Sequence, residues 1–248
     1  MNEALAAVGS PTSTPAPIVT ATSEPPTATP IPPSPTNAPS PAPPTATRTP
    51  QPIATTILIT EGSDDAEERL DTGRMYLPSG DLEMTYDSDQ TNNEDSPRGE
   101  QIVGLRFVDL PVPSGSKITQ TYIEFVADSK TNSDSTQLTI YGQAQTNPLG
   151  FTEESRNISN RLRTNAMVSW TVPAWNTDGV SHRTPDLSTI VQEVIDQNGW
   201  SRENSMVFII TGNNHSSNFR TAKSSDGAAR ESDPNNAPKL FIEYIPEE

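Results

Sequence analysis

Beyond residue 52, apolar and polar side chains alternate in short runs, which is the pattern of half-buried β-strands. The longest runs are 100–110 and 116–128, and the second places Ile118, Tyr122 and Glu124 on one face. It places Ile123 and Phe125 on the other face. Turn-forming residues separate the runs. The other runs are 53–60, 74–79, 81–87, 136–144, 165–172, 205–212, 219–224 and 238–245. This spacing predicts an all-β fold, an antiparallel jelly-roll-like β-sandwich of about ten strands.

One segment, 184–199, has helical rather than strand periodicity. Thr184 is the expected N-cap, Pro185 the first helical residue and Gly199 the C-terminal stop. The apolar positions recur at helical spacing and form one face, consisting of Leu187, Ile190, Val191, Val194 and Ile195. The sequence therefore predicts one short helix within the sandwich.

Composition divides the chain near residue 52. The segment 1–52 holds 15 of the 25 prolines but only three charged residues, Glu3, Glu24 and Arg48. Such a segment has too little apolar surface to offset the entropy of folding alone, so an extended Pro/Thr/Ser-rich arm or stalk is expected there. The remainder, 53–248, is long enough for one β-sandwich domain.

The net charge is −16, of which the arm carries −1, so −15 belongs to the remainder. This acidity argues against nucleic acid and anionic membrane surfaces as partners. The absence of cysteine excludes disulfides and thiol catalysis. No run has the roughly 18–20 apolar residues that a membrane span needs.

A Pro/Thr-rich arm is typical of secreted or cell-surface proteins, although residues 1–9 do not form a signal peptide. In that setting the arm is expected to carry O-linked sugars. The predicted attachment sites are Thr27, Thr29, Thr36, Thr45 and Thr47.

Acidic side chains cluster at the start of the domain, with six carboxylates between residues 61 and 71. If 81–87 is one strand, its acids share a face, and carboxylates from two adjacent segments could hold a calcium ion with a structural role. The alternative is an ordinary solvated acidic face. The candidate ligands are Asp64, Asp65, Glu67, Asp81, Glu83 and Asp87.

Candidate catalytic groups are few. His182 and His215 are the only histidines, no nucleophile or metalloprotease motif is present, and we expect no enzyme activity. Trp170 and Trp200 are expected to be packed residues. Trp175, with Asn176 and Asp178 beside it, is the candidate platform for stacking on a glycan.

Several segments in order carry a resemblance to a known family. They are SDDAEE, SGDLEMTYD, QIVGLRFVDLPVPSGSKITQTYIEFVAD, ISNRLRTNAMVSWTVPAW, TPDLSTIVQEVIDQNGW and APKLFIEY. Between about residues 57 and 245, the chain resembles the jelly-roll-like DNRLRE-type modules of secreted and cell-surface bacterial proteins. The resemblance implies an extracellular, non-catalytic module with an adhesive, structural or carbohydrate-binding role.

By architecture, a lone sandwich behind an extended arm also resembles subunits of secreted bacterial surface filaments. Residues 10–52 as polyproline II would span roughly 130 Å, whereas a 195-residue domain measures about 40 Å across. The arm could therefore reach other copies of the chain, which makes a homopolymer the leading expectation and a glycan-binding module on a sugar-coated stalk the alternative. The expected assembly residues are Ile18, Val19, Ile31, Arg48, Ile53, Ile57 and Ile59.

Overall fold

The computed structural model describes residues 17, 50–87, 99–128, 135–212 and 219–247. Within these residues the chain is built from antiparallel strands and two short α-helices, which confirms the all-β prediction. The strands are β1 Ile53–Leu58, β2 Asp65–Arg69, β3 Met75–Tyr76, β4 Asp81–Met84, β5 Tyr86–Asp87, β6 Gly99–Phe107, β7 Lys117–Val126, β8 Thr136–Gln143, β9 Arg163–Val172, β10 Ser181–Arg183, β11 Met206–Gly212, β12 Arg220–Lys223 and β13 Lys239–Ile245. The helices are α1 Ser188–Ile195 and α2 Ser225–Arg230.

The strands form two main sheets. The smaller has the order β1-β13-β7-β10 and the larger the order β3-β2-β6-β11-β8-β9, with β5 pairing to β6. Strands β12 and β4 form a separate pair. Arg48–Glu248 is one compact unit, and no helix among the described residues is long and apolar enough to cross a membrane.

The main core lies between the two sheets. Ile123 and Phe125 of β7 and Leu240 of β13 are fully buried in the same cluster as Leu105 of β6 and Phe208 of β11. Helix α1 joins this cluster through its predicted apolar face, every member of which is at most 1% exposed. The helix approaches β8 so closely that a Cβ at Gly142 would lie 2.7 Å from Ile190 Cγ2.

A second apolar cluster covers the other face of the large sheet. Phe151 and Ile158, from the segment between β8 and β9, pack against Ile102 of β6 and Ile209 of β11. Strands β6 and β11, in the middle of the large sheet, are thus buried on both faces, which explains their nearly continuous apolar sequences.

Three local predictions were wrong. The helix begins at Ser188, because the Thr184 hydroxyl accepts from Ile123 N and donates to Pro185 O instead of capping it. The acidic segment after β1 contains a buried strand, β2. The predicted strand 81–87 is interrupted at Thr85.

Candidate functional site

Strand β2 carries acidic side chains into two different environments. Glu67 and Glu68 are both 0% exposed. Because neighbouring side chains of a strand face opposite ways, only Glu67 faces β4. Glu68 Oε2 instead accepts hydrogen bonds from Ile158 N at 2.8 Å and Ser159 N at 2.7 Å, which anchors the segment over the second apolar cluster.

Glu67 belongs to a carboxyl pair in which it is fully buried and its partner, Glu83, is half-buried. Its Oε1 accepts from Glu83 N at 2.7 Å and from Gln101 Nε2 at 2.9 Å, and the same amide contacts Glu83 Oε2 at 3.3 Å. The other oxygen, Glu67 Oε2, is buried and has no hydrogen-bond partner among the residues that the structure describes. Such an oxygen is satisfied if it carries a proton and donates it to the partner carboxylate.

The electrostatics of the pair favour that proton. Burial, and then the charge of Glu83, raise the pKa of Glu67 well above its usual value. Burial raises the pKa of Glu83 to about 7, against the hydrogen bonds that favour its ionised form. Two carboxyl groups in one poorly solvated site cannot both ionise cheaply, so the pair retains a proton near neutral pH.

Asp64 and Asp65 have separate partners. Asp64 Oδ1 forms an ion pair with Arg106 Nη1 at 2.7 Å. Asp65 accepts from the backbone N–H and hydroxyl of Ser225, at 2.6 and 2.8 Å, and thereby fixes the start of α2. Burial raises the pKa of Asp65 to about 7, although both bonds to Ser225 act in the opposite direction.

Asp81 and Asp87 lie on either side of the interruption at Thr85. Burial, and then the charge of Asp128, raise the pKa of Asp81. Asp87 is 2% exposed. Lys223, opposite Asp81 in the β4–β12 pair, forms ion pairs with Asp128 and Glu231, and Arg230 adds a second positive charge near Asp81.

The structure therefore divides the six predicted calcium ligands among several environments instead of converging them. Asp64 and Asp65 already accept from protein donors, and Glu67 and Glu83 both contact the Gln101 amide. Within the described ranges, no three acidic or imidazole groups are placed to hold a metal ion. Calcium binding stays a prediction, with Glu67, Asp81, Glu83 and Asp87 as its remaining ligands.

The proposed glycan platform at Trp175 is wrong. The indole is 0% exposed and lies in the main core, where His182 stacks on it at 4.5 Å between ring centroids. A sugar cannot stack on a ring that protein covers on every side. Asn176 and Asp178 are exposed but have no exposed aromatic ring at position 175 to act with. Trp170 and Trp200 are buried, as expected.

The predicted assembly residues have different outcomes. Ile59 is 2% exposed and the half-buried Ile57 packs against the same core, so both side chains contribute to the fold of the domain. Ile53 is 44% exposed at the start of β1. The other predicted residues lie outside the described residues, namely Ile18, Val19, Ile31 and Arg48, together with the glycosylation sites Thr27, Thr29, Thr36, Thr45 and Thr47.

An aromatic groove lies on the outer face of the small sheet. Tyr122 of β7 and Phe241 of β13 are register partners whose ring centroids are 4.7 Å apart at an angle of 13°. Thr56 of β1 is the next residue in the same row. Both rings are partly exposed, and the groove around them encloses about 210 Å³. We call this site the Tyr122–Phe241 groove; it is lined by Thr56, Tyr122, Glu124, Arg183, Lys239 and Phe241.

Charged side chains form one wall of this groove. Glu124 pairs with Arg183 Nε at 2.9 Å and with Lys239 Nζ at 3.0 Å. Burial opposes ionisation of Glu124, but these two cations hold its pKa below the usual value. The Arg183 guanidinium also lies 4.5 Å from the centroid of the Tyr122 ring. The wall is thus polar with a net charge of about +1, from two cations and one carboxylate, and the floor is aromatic.

The part of this groove that β7 contributes could be predicted from the sequence. The alternation in β7 placed Tyr122 and Glu124 on one face, and burial of Ile123 and Phe125 on the other face confirms it. Phe241 was not recognised, because its contact with Tyr122 depends on a strand pairing across 119 residues. The outward alternation of 238–245 was the available signal.

Comparisons with known proteins add little. No family model matches the chain, and no curated protein matches it. It is similar to a solved aminopeptidase from the marine sediment archaeon Thaumarchaeota archaeon, with 10% identity and a TM-score of 0.32 over 77% of this chain and 37% of that chain. It is also similar to Desmodium yellow mottle tymovirus, with 9% identity and a TM-score of 0.24 over 85% and 97% of the two chains. This chain spans little more than a third of the aminopeptidase chain, and neither similarity indicates a function.

Proposed function

We propose that this protein is a non-catalytic, secreted or cell-surface structural subunit whose N-terminal arm docks on neighbouring copies and links them into a filament or matrix. One observation carries the proposal. The strand that directly follows the arm, β1, is the edge strand of the small sheet. The arm therefore enters the domain at a site where another extended chain could add.

The exposed edge of β1 supports this function. One side of the strand pairs with β13, from Ile53 opposite Tyr244 to Leu58 opposite Lys239. Among the described strands, none pairs with its other side. Edge strands are usually protected by charged residues, proline or bulges, and β1 has none of these between Ile53 and Leu58. An unprotected edge of this kind favours strand addition by a second molecule.

The arm has the length and composition for contacts between subunits. Its expected reach of roughly 130 Å is about three domain diameters. Proline restricts φ before binding, so an extended proline-rich segment loses less conformational entropy on docking than a flexible linker does. The arm also carries only one net negative charge, so the −15 of the remaining chain repels it weakly.

Electron microscopy of two forms of the chain tests the proposal. The full-length chain is expected to form filaments or networks in negative stain, and the form lacking residues 1–52 is expected to remain as single particles. That deletion leaves β1 complete, so equal melting temperatures of the two forms would show that the domain is intact. Filaments that persist without the arm, or single particles from the full-length chain, would contradict the proposal.

A variant of β1 separates docking of the arm from addition at the strand edge. Ala54→Lys places a charge on an exposed position of the edge strand. If a neighbour adds to this edge, the variant should form fewer or shorter filaments. Thr171→Lys, at an exposed position of β9 in the other sheet, is the matched control and should assemble normally.

A further inference from the structure

The Tyr122–Phe241 groove has the chemistry of a site for an extended, proline-rich chain. Its floor is a pair of nearly parallel aromatic rings, and Thr56 extends the same row to the edge strand β1. Proline-rich segments in the polyproline II conformation bind in aromatic-lined grooves, because their preformed shape packs flat pyrrolidine rings on aromatic faces. The groove and the edge of β1 therefore belong to one continuous surface.

The polar wall offers what such a ligand requires. A proline-rich chain has few N–H donors but many solvent-facing carbonyl groups. Lys239 and Arg183 are donors at the wall, and the Arg183 side chain is 59% exposed although its Nε contacts Glu124. Their unused N–H groups can donate to carbonyl oxygens of a chain that lies on the two rings.

The charge of the groove points to an uncharged occupant. Glu124 neutralises one of the two neighbouring cations, so the six lining residues carry a net charge of about +1 (two cations and one carboxylate). The long-range field of this −16 chain repels anionic ligands. The segment 25–47 of the arm has ten prolines and no charged residue, which suits this site.

The position at which the arm joins β1 favours an occupant from a second copy. Thr56 lies in the groove row, three residues after Ile53, where the strand begins. For the same chain to bind its own groove, it would have to reverse direction immediately before β1. Pro50 and Pro52 restrict φ at that point, and no glycine occurs between Gly9 and Gly62, so the tight turns that use the positive φ of glycine are not available there.

We infer that the Tyr122–Phe241 groove binds the uncharged proline-rich segment, residues 25–47, of a second copy of this chain. This inference rests on the proposed function, since it names the surface on which the arm of a neighbour docks. The segment lies along the aromatic row, and the edge of β1 lies beside it on the same sheet.

Disulfide trapping tests the inference directly, because the native chain contains no cysteine. Thr56→Cys is introduced into one full-length chain, and Thr36→Cys into a second full-length chain that carries a size tag. After mixing and mild oxidation, the mixed disulfide dimer should form several-fold faster than with Thr171→Cys in place of Thr56→Cys. Equal rates at the two positions would overturn the inference. So would an intrachain disulfide as the main product of a chain carrying both Thr36→Cys and Thr56→Cys.

A matched pair of aromatic variants tests the groove itself. Tyr122→Ala combined with Phe241→Ala should reduce the mass of assembled protein at least tenfold. Tyr141→Ala is the control, because Tyr141 also lies under an arginine, Arg163 at 4.8 Å, but on the other sheet. Melting temperatures of all variants are compared at the same time, and disulfide trapping through the exposed Thr56 gives an independent result if the double variant folds poorly.

The outcomes separate failure of this inference from failure of the proposed function. If the double variant folds and assembles as the control does, the arm docks elsewhere, and the inference fails while the proposed function stands. If the unmodified chain never assembles and no mixed disulfide forms, both fail. A third result would identify the groove as a sugar site and show that the inference is wrong. In that case neutral glycans bind the unmodified chain but not the double variant, and disulfide trapping shows no preference for Thr56→Cys.

Discussion

The side-chain amide of Gln101 contacts the carboxyl groups of both Glu67, which is buried, and Glu83, which is half-buried. The folded state raises the pKa of both groups above the ordinary glutamate value of 4.5, and that of Glu83 to about 7. A carboxyl with a raised pKa contributes stability below the unfolded pKa, and this contribution is lost as the pH rises through the folded value. The region around β2 and β4 is therefore most stable in mild acid.

The pH dependence should decrease when one carboxyl of the pair is removed. Glu83→Gln cannot ionise, yet its side chain can still donate to Glu67. Because of this pair, we expect the free energy of unfolding of the unmodified chain to fall by on the order of 2 kcal/mol between about pH 5 and pH 8. The melting temperature should fall by about 4–8 °C over the same range. The melting temperature of Glu83→Gln should fall less between the two pH values, as measured by thermal unfolding at each.

Glu153→Gln is the control for that experiment, because Glu153 is exposed. It should preserve the pH dependence of the unmodified chain. An unchanged slope in Glu83→Gln would show that the pair does not hold a proton in the folded state. The raised pKa of Asp65 leaves part of the slope in both variants.

Calcium and protons would compete at the remaining acidic residues. If the ion binds beside Glu67 and Glu83, it must displace the shared proton, so its effect should be larger at about pH 8 than at pH 5. A ligand that binds only the folded state raises the melting temperature. The measurement is thermal unfolding with millimolar calcium or with a chelator, and equal melting temperatures at about pH 8 would exclude a structural calcium site here.

Trp175 is predicted to be a core residue. Trp175→Ala removes a side chain that is 0% exposed, and we expect a loss of about 3–5 kcal/mol in the free energy of unfolding. Asn176→Ala, at the exposed neighbouring position, should change it by less than about 0.5 kcal/mol. Urea unfolding measures both. Equal stabilities of the two variants would contradict the burial of this indole.

Arg161 holds the segment between β8 and β9 in place. Its guanidinium donates to Gln143 Oε1, to Asn157 and to the carbonyl oxygens of Leu149 and Gly150, over distances of 2.7–3.0 Å. Lysine cannot reproduce this planar set of donors. Arg161→Lys should therefore cost about 2–4 kcal/mol, because several acceptors, most of them partly buried, lose their donor together.

The matched control for that substitution is Arg163→Lys. Arg161 lies 4.4 Å from the centroid of the Phe151 ring, and Arg163, on strand β9, likewise lies over an aromatic ring, that of Tyr141. We expect a change below about 1 kcal/mol. Chemical denaturation of both variants decides the comparison, and a similar loss in each would show that Arg161 has no special role in the segment.

The alternation of apolar and polar side chains, together with the turn residues between the runs, predicted the sandwich, because both are local properties of the sequence. The face of β7 that carries Tyr122 and the apolar face of α1 were recognisable for this reason. Strand β2 was not, because Asp-Ala-Glu-Glu-Arg has the composition of an exposed loop. Its burial depends on partners far along the chain, including Ser225, which lies 160 residues from Asp65.

The same distinction explains the errors at the candidate sites. Trp175 lies among turn residues, and only the tertiary fold shows that the main core covers it. Ile118 was expected to share a face with Tyr122, but a register shift opposite β7, between Glu243 and Tyr244, accompanies its burial. The alternation of side chains along a strand does not reveal a register shift of this kind.

Sedimentation velocity over a range of protein concentrations tests the central claim, that the arm links copies of the chain, most directly. The account predicts that the full-length chain forms species well above the 26.8 kDa of one chain, in amounts that rise with concentration. The form lacking residues 1–52 should sediment as one slower species throughout. A full-length chain that sediments as a single monomeric species at every concentration would contradict the account.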